Sequence, residues 1–178
     1  MRIEAKLGSF LAMLGICVFL SGCQKITTTY PDYPVITFKS YSVQKNADST
    51  YSLALIISFT DGNGNVGLSQ VDTSGPFSPK SKYYYNLWVG YYEFYKDSFI
   101  HVGQSFPFTS DTINYNGRIP VLTPTGKYKA ILGDIEYDIN LGTGTKSGTN
   151  TIRFDFILID RSLQHSNLIK SPPIVLTP

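Results

Sequence analysis

Two hydrophobic patterns divide the chain. From Leu7 to Leu20 nearly every position is apolar; beyond Tyr30, apolar residues recur at every second position in short runs. Alternation with period two is the mark of a strand that turns one face to a core. It is clearest over Tyr51–Thr60, where Leu53, Leu55, Ile57 and Phe59 share one face. Ser52, Ala54 and Ser58 share the other, interrupted by Ile56. Thr151–Asp160 repeats the pattern, with Ile152, Phe154, Phe156 and Leu158 against Arg153 and Asp155. Val35–Val43, Tyr83–Tyr95, Asp111–Tyr115 and Leu168–Leu176 are further candidate strands. Lys127–Leu141 holds two runs of opposite parity, Tyr128-Ala130-Leu132 and Ile135-Tyr137-Ile139-Leu141. The change of phase at Gly133 predicts a bulge or bend there.

No segment after the first apolar run has a helical period, and Gly, Asn, Asp and Pro stand between the alternating runs. Thirteen Tyr and eleven Phe, with little Ala or Glu, also favour strands. Seven or eight such strands predict an all-β domain over residues 35–178. The expected architecture is a two-layer antiparallel β-sandwich, immunoglobulin-like in the broad sense. The paired disulfide-and-tryptophan mark of antibody domains is absent.

The first apolar run has another meaning. As a helix it would rise ~21 Å, short of a ~30 Å hydrocarbon core. With Arg2 and Lys6 ahead of it, it reads as the core of a secretory signal peptide covering residues 1–22. Leu20-Ser21-Gly22-Cys23 resembles the lipobox of bacterial lipoproteins. That resemblance implies a diacylglycerol on the Cys23 sulfur and cleavage just before it. Cys17 leaves with the signal, so Cys23 is the sole cysteine of the mature chain and no disulfide is expected. Residues 23–34, with three Thr and Pro31 and Pro34, read as a lipidated, extended tether. Gln24 stands where Asp retains some lipoproteins in the inner membrane, and no acidic cluster follows Cys23. By analogy this implies the outer membrane and a periplasmic face.

Charge narrows the partners. Without residues 1–22 the chain carries 13 Lys and Arg (15 − 2) against 12 Asp and Glu (13 − 1). No basic stripe points to nucleic acid. Gly142–Thr149, GTGTKSGT, lacks the glycine before Lys146 that a phosphate loop needs. His101 has no second histidine at ligand spacing, so zinc is not expected.

Three stretches carry candidate chemistry. Phe59–Gly67, FTDGNGNVG, places oxygens at Asp61, Asn63 and Asn65 in a tight turn that could hold Ca²⁺, with Asp160 as a second carboxylate if the two loops meet. One carboxylate alone would bind weakly, at ~10⁻³ M. A plain strand-connecting turn is the competing expectation. Ile159–Ile174 brings Asp160, His165 and Ser166 together, but no Gly-x-Ser-x-Gly elbow exists. An Asx- or Ser-stabilised turn is the simpler reading, and no catalytic residues are expected. Tyr83–Tyr95 puts Tyr84, Trp88 and Tyr92 on one face, a candidate platform for sugar or peptide if exposed.

PVITF near residue 34, FTDGNGNVGL, and DRSLQHSNLIKSPPI near the end together resemble a group of Bacteroidota-type lipoproteins. Those carry an Asp-Gly-Asp-Gly-Asp-like turn and a closing Asp-Arg…Ser-Asn…Pro stretch. The resemblance spans most of the mature chain and implies a β-sandwich at the envelope, with no transferable activity. Asn63 and Asn65 stand where that group often has Asp. The expectation is thus a lipid-anchored, non-catalytic domain that binds or scaffolds a protein or glycan. A carbohydrate-binding module using its aromatics is the alternative.

Overall fold

The computed structural model describes residues 29–102, 113–122, 129–145 and 147–177. The first apolar run, Cys23 and Gln24 lie outside the described residues, as do Asp111, Thr112, Lys127 and Tyr128. Among the described residues no helix is long and apolar enough to cross a membrane.

The strands are β1 (Val35–Lys45), β2 (Tyr51–Asp61), β3 (Leu87–Tyr95), β4 (Ser98–His101), β5 (Ile131–Asn140), β6 (Thr151–Leu158), β7 (Ile169–Lys170) and β8 (Ile174–Val175). One sheet has the order β1-β2-β5; the other has β4-β3-β6-β7, with β8 also paired to β6. All pairs are antiparallel. This is the expected two-layer β-sandwich. Since β2 and β5 are neighbours while β3 and β4 lie in the other sheet, the chain changes sheets at β2–β3, β4–β5 and β5–β6.

Strict alternation builds the core. Leu53, Leu55, Ile57 and Phe59 of β2 face Leu87, Val89 and Tyr91 of β3 and Ile152, Phe154, Phe156 and Leu158 of β6 in one buried cluster. Each large apolar side chain taken out of water contributes about 1.5–3 kcal/mol. The outer face of the three-stranded sheet is polar, and its edge strand β5 exposes Asp134, Glu136 and Asp138. Charge along an edge discourages pairing with a further strand.

Four expectations need correction. First, Gly133 forms no bulge: β2 and β5 stay in register from Ser52↔Asn140 to Asp61↔Ile131. Gly133 lies on the inward row opposite Phe59, where an added Cβ would come within 3.4 Å of the ring. Leu132 is 67% exposed and Ala130 is exposed as well, so these two apolar residues point outward and mimic a change of phase; Tyr128 lies outside the described residues. The register shift falls instead in β1, between Phe38 and Ser40. Second, Tyr83–Asn86 is not strand. Tyr84 N–H donates to the Ser81 carbonyl (3.1 Å), closing a turn, and the Arg118 guanidinium donates to the Tyr84 carbonyl (2.5 Å).

Third, β4 was not expected. Lys96 and Asp97, with φ of 46° and 62°, make a two-residue hairpin turn without the Asn-Gly pair that usually marks one. The described part of the Asp111–Tyr115 candidate, 113–115, is irregular. Fourth, Leu168–Leu176 is two short strands, because Pro172 and Pro173 have no N–H to give to a ladder.

Candidate functional site

The inward row of β2 does not stop at Phe59. Its next member is Asp61, which is 0% exposed. The inward row of β6 likewise runs past Leu158 to Asp160, 1% exposed. The two strands belong to different sheets, yet their ends converge. Val66 bridges Asp160, and Arg161 N–H donates to the Asn65 carbonyl at 3.2 Å. Period-two alternation thus delivers two carboxylates into the gap between the sheets at one end.

Each carboxylate is half-satisfied. Asp61 Oδ1 accepts from the N–H groups of Asn63 (3.1 Å) and Gly64 (2.6 Å). Asp160 Oδ1 accepts from Gln164 N–H at 2.8 Å. The Asp61 bond to Asn63 makes an Asx turn, with Gly64 at φ of 65°, whereas Asp160 reaches four residues on across a loop that Leu163 turns at φ of 63°. The second oxygens are different. Asp61 Oδ2, Asp160 Oδ2 and Asn65 Oδ1 are buried with no hydrogen-bond partner. The Asn65 side chain lies close enough to Asp160 to favour its charged form, but no donor meets Oδ2 in bonding geometry. The Asn65 Nδ2 group donates to Ser162 Oγ at 2.9 Å.

Burial pushes the Asp61 carboxyl above its ordinary value, against the N–H groups of Gly64, Asn65 and Asn63, and the charge of Asp32 adds to the rise. Asp160 is raised by burial first, with a further push from Asp61. No salt bridge among the described residues reaches either group. Arg161, beside Asp160 in sequence, turns to Asp72 at 2.6 Å.

Asn63 does not join this group. Its Oδ1 accepts from Asn65 N–H (3.2 Å) and its Nδ2 donates to the Asp32 carbonyl (2.7 Å). It therefore fastens the segment that enters the domain. Gly62 N–H donates to the Pro31 carbonyl at 2.8 Å, and an added Cβ on Gly62 would lie 2.3 Å from the Tyr30 carbonyl. With Pro34 buried as well, residues 30–34 form a docked strap over the 61–67 turn. Only residues 24–29 then separate Cys23 from docked chain, a reach of at most ~20 Å.

The aromatic candidates are not brought into one row. Trp88 is 5% exposed; its indole N–H donates to the Tyr85 carbonyl (3.0 Å), and its ring clusters with those of Tyr83 and His165, which also touch each other. Tyr84 packs under Arg118. Trp88 and Tyr92 do line a cleft of ≈ 300 Å³ with His101, Asn116, Asp155 and Leu168, and Tyr84 is not part of it. Arg153 pairs with Asp155 (3.0 Å) and covers Tyr92 (4.5 Å).

His165 sits edge-on to Trp88 at 4.8 Å, and burial and Lys82 lower its pKa. Ser166 Oγ accepts from Leu158 N–H and donates to the Asn167 carbonyl. Asp160, His165 and Ser166 therefore form no hydrogen-bonded relay among the described residues.

Sequence reasoning missed the strap and missed Glu93, a carboxylate 1% exposed at the opposite end of β3. The signal for Glu93 was present: it continues the inward row Leu87, Val89, Tyr91. Compared with known protein families, characterised proteins and solved structures, the chain matches none.

Proposed function

We propose that this is a lipid-anchored, non-catalytic domain of the bacterial cell envelope, joined to the outer membrane through Cys23 and facing the periplasm. Its role is to hold a protein or glycan partner near the bilayer. One observation carries the reading: the lipobox-like Leu20–Cys23 ends an apolar run of secretory length and lies six residues (24–29) before the docked strap. A stable anchor takes more than one acyl chain, which lipoprotein processing supplies. So short a connection holds the Asp61–Asp160 end toward the membrane and turns the β3–β4 hairpin, at the far end, outward. The commitment of His165 and Ser166 to packing and turn bonds supports a binding role over hydrolysis.

Mass spectrometry of the membrane-extracted protein should find a diacylglyceryl thioether on Cys23. Cys23→Ser should move the protein to the soluble fraction. An unmodified Cys23, or a variant that still pellets with membranes, overturns the reading.

The cleft between Trp88 and Tyr92 favours a second reading, a carbohydrate-binding module. Aromatic side chains beside Asn116 and Asp155 offer a sugar an apolar face and polar edges. Quenching or a shift of Trp88 fluorescence on titration with envelope glycans would support it, and an unchanged spectrum would count against it.

A further inference from the structure

We propose that Asp61 Oδ2, Asn65 Oδ1 and Asp160 Oδ2 are three ligands of a divalent hard cation, with Ca²⁺ preferred, that staples the two sheets at their shared end. Three acceptor oxygens from two loops are buried there without a donor. A buried acceptor left bare costs about 1–3 kcal/mol, and more when charged. Native proteins leave few such groups, and three in one place call for an occupant. Two carboxylates supply negative charge that no described lysine or arginine neutralises by a salt bridge.

The donor set decides the kind of ion. All three atoms are oxygens, which select hard cations over zinc or copper. No group of three or more His, Cys, Asp or Glu that could hold a metal occurs among the described residues, so two carboxylates and one amide oxygen are all the side chains offer here, and carbonyls and water must complete the shell. Ca²⁺ accepts irregular loop geometry and completes its shell with carbonyls and water, whereas Mg²⁺ demands a near-ideal octahedron. Asp61 and Asp160 close off different sheets, so one ion bound to both ties strand β2 to the loop after β6. Two carboxylates rather than one place the affinity at ~10⁻⁴ to 10⁻³ M, the range of extracellular modules. This inference does not rest on the lipid anchor.

The test uses the full chain purified in detergent and stripped with a chelator. Its thermal melting is followed by Trp88 fluorescence across 0 to ~10 mM CaCl₂ and, separately, MgCl₂. CaCl₂ at ~10 mM, about 10- to 100-fold over Kd, should raise Tm by about 3–10 °C, with a smaller rise for MgCl₂. Asp160→Asn should remove most of the shift, while Glu136→Gln on the exposed face of β5 should keep it. Calorimetric titration of the unaltered protein should give a one-to-one heat with CaCl₂, so the inference remains testable if the variant does not fold. No Tm shift together with no binding heat overturns it. So does a shift that survives Asp160→Asn, or one that Glu136→Gln removes, which would place the ion on the outer acidic face.

Discussion

Two ends of one sandwich treat buried carboxylates in opposite ways. At one end Glu93, 1% exposed, has both oxygens satisfied. Tyr91 O–H donates to Oε1 at 2.9 Å, Ser147 N–H donates to Oε2 at 2.7 Å, and the Ser147 hydroxyl donates to Oε2 as well. Burial and Glu93 hold the Tyr91 hydroxyl far above its ordinary pKa, so it stays a donor. At the other end Asp61 and Asp160 each keep one oxygen bare. Burial alone does not distinguish the two ends; the donors do. A carboxylate closed by protein donors is part of the framework, while a pair left open is arranged for something else to complete.

The largest expected effect tests the closed end. Glu93→Ala removes the acceptor that Tyr91 O–H and Ser147 N–H share and strands both donors, a loss of about 3 kcal/mol by denaturant midpoint. A loss under ~1 kcal/mol would mean that Glu93 is no framework group. Next comes the strap that roofs the open end. Gly62→Ala drives a methyl group into the Tyr30 and Pro31 carbonyls and should cost about 2 kcal/mol. It should also speed proteolysis within residues 24–32; equal cleavage rates would deny that the strap is docked.

Asp160→Asn should carry the opposite sign to Glu93→Ala. In chelator at neutral pH it relieves a buried charge and should stabilise by about 1 kcal/mol. Because the folded Asp160 pKa is raised, its protonated form stabilises the fold below the ordinary carboxyl value of 3.8. That stability is lost as pH rises through the folded value. The advantage of the variant should therefore shrink as pH falls toward 3.8. A variant as damaging as Glu93→Ala in chelator would erase the contrast between the two ends.

The smallest effect belongs to Asp72, which the Arg161 guanidinium, with Ser69, holds well below the usual carboxylate range. Its contribution is present above 3.8 and lost as pH falls through the lowered value. Asp72→Asn should lower Tm slightly at neutral pH and flatten the acid limb of the melting profile.

Much of this was legible because strands write their burial in alternate letters. Leu53 through Phe59 and Ile152 through Leu158 name their core faces directly, and the same parity extended by one step names Asp61 and Asp160. Leu132 and Gly133 show how the pattern fails. One exposed leucine and one inward glycine mimic a change of phase, and only the partner Phe59 explains why the inward residue is small. Tyr83–Asn86 fails for another reason: β-rich composition could not foresee that Ser81 and Arg118 would capture its backbone.

By itself the sequence determined the fold class, the inward and outward rows, the turn chemistry of Asp61 and Asp160, and the lipobox-like corner that implies an address. These follow from local rules of alternation, turn geometry and small-residue spacing. Tertiary structure decided which row-ending carboxylates meet and which acquire donors. Asp61 and Asp160 are 99 positions apart in the chain, and Glu93 finds Ser147 across 54. The packing of one sheet on the other, and the loops that join them, bring such residues together, because hydrogen-bond completion depends on neighbours in space that no local pattern encodes.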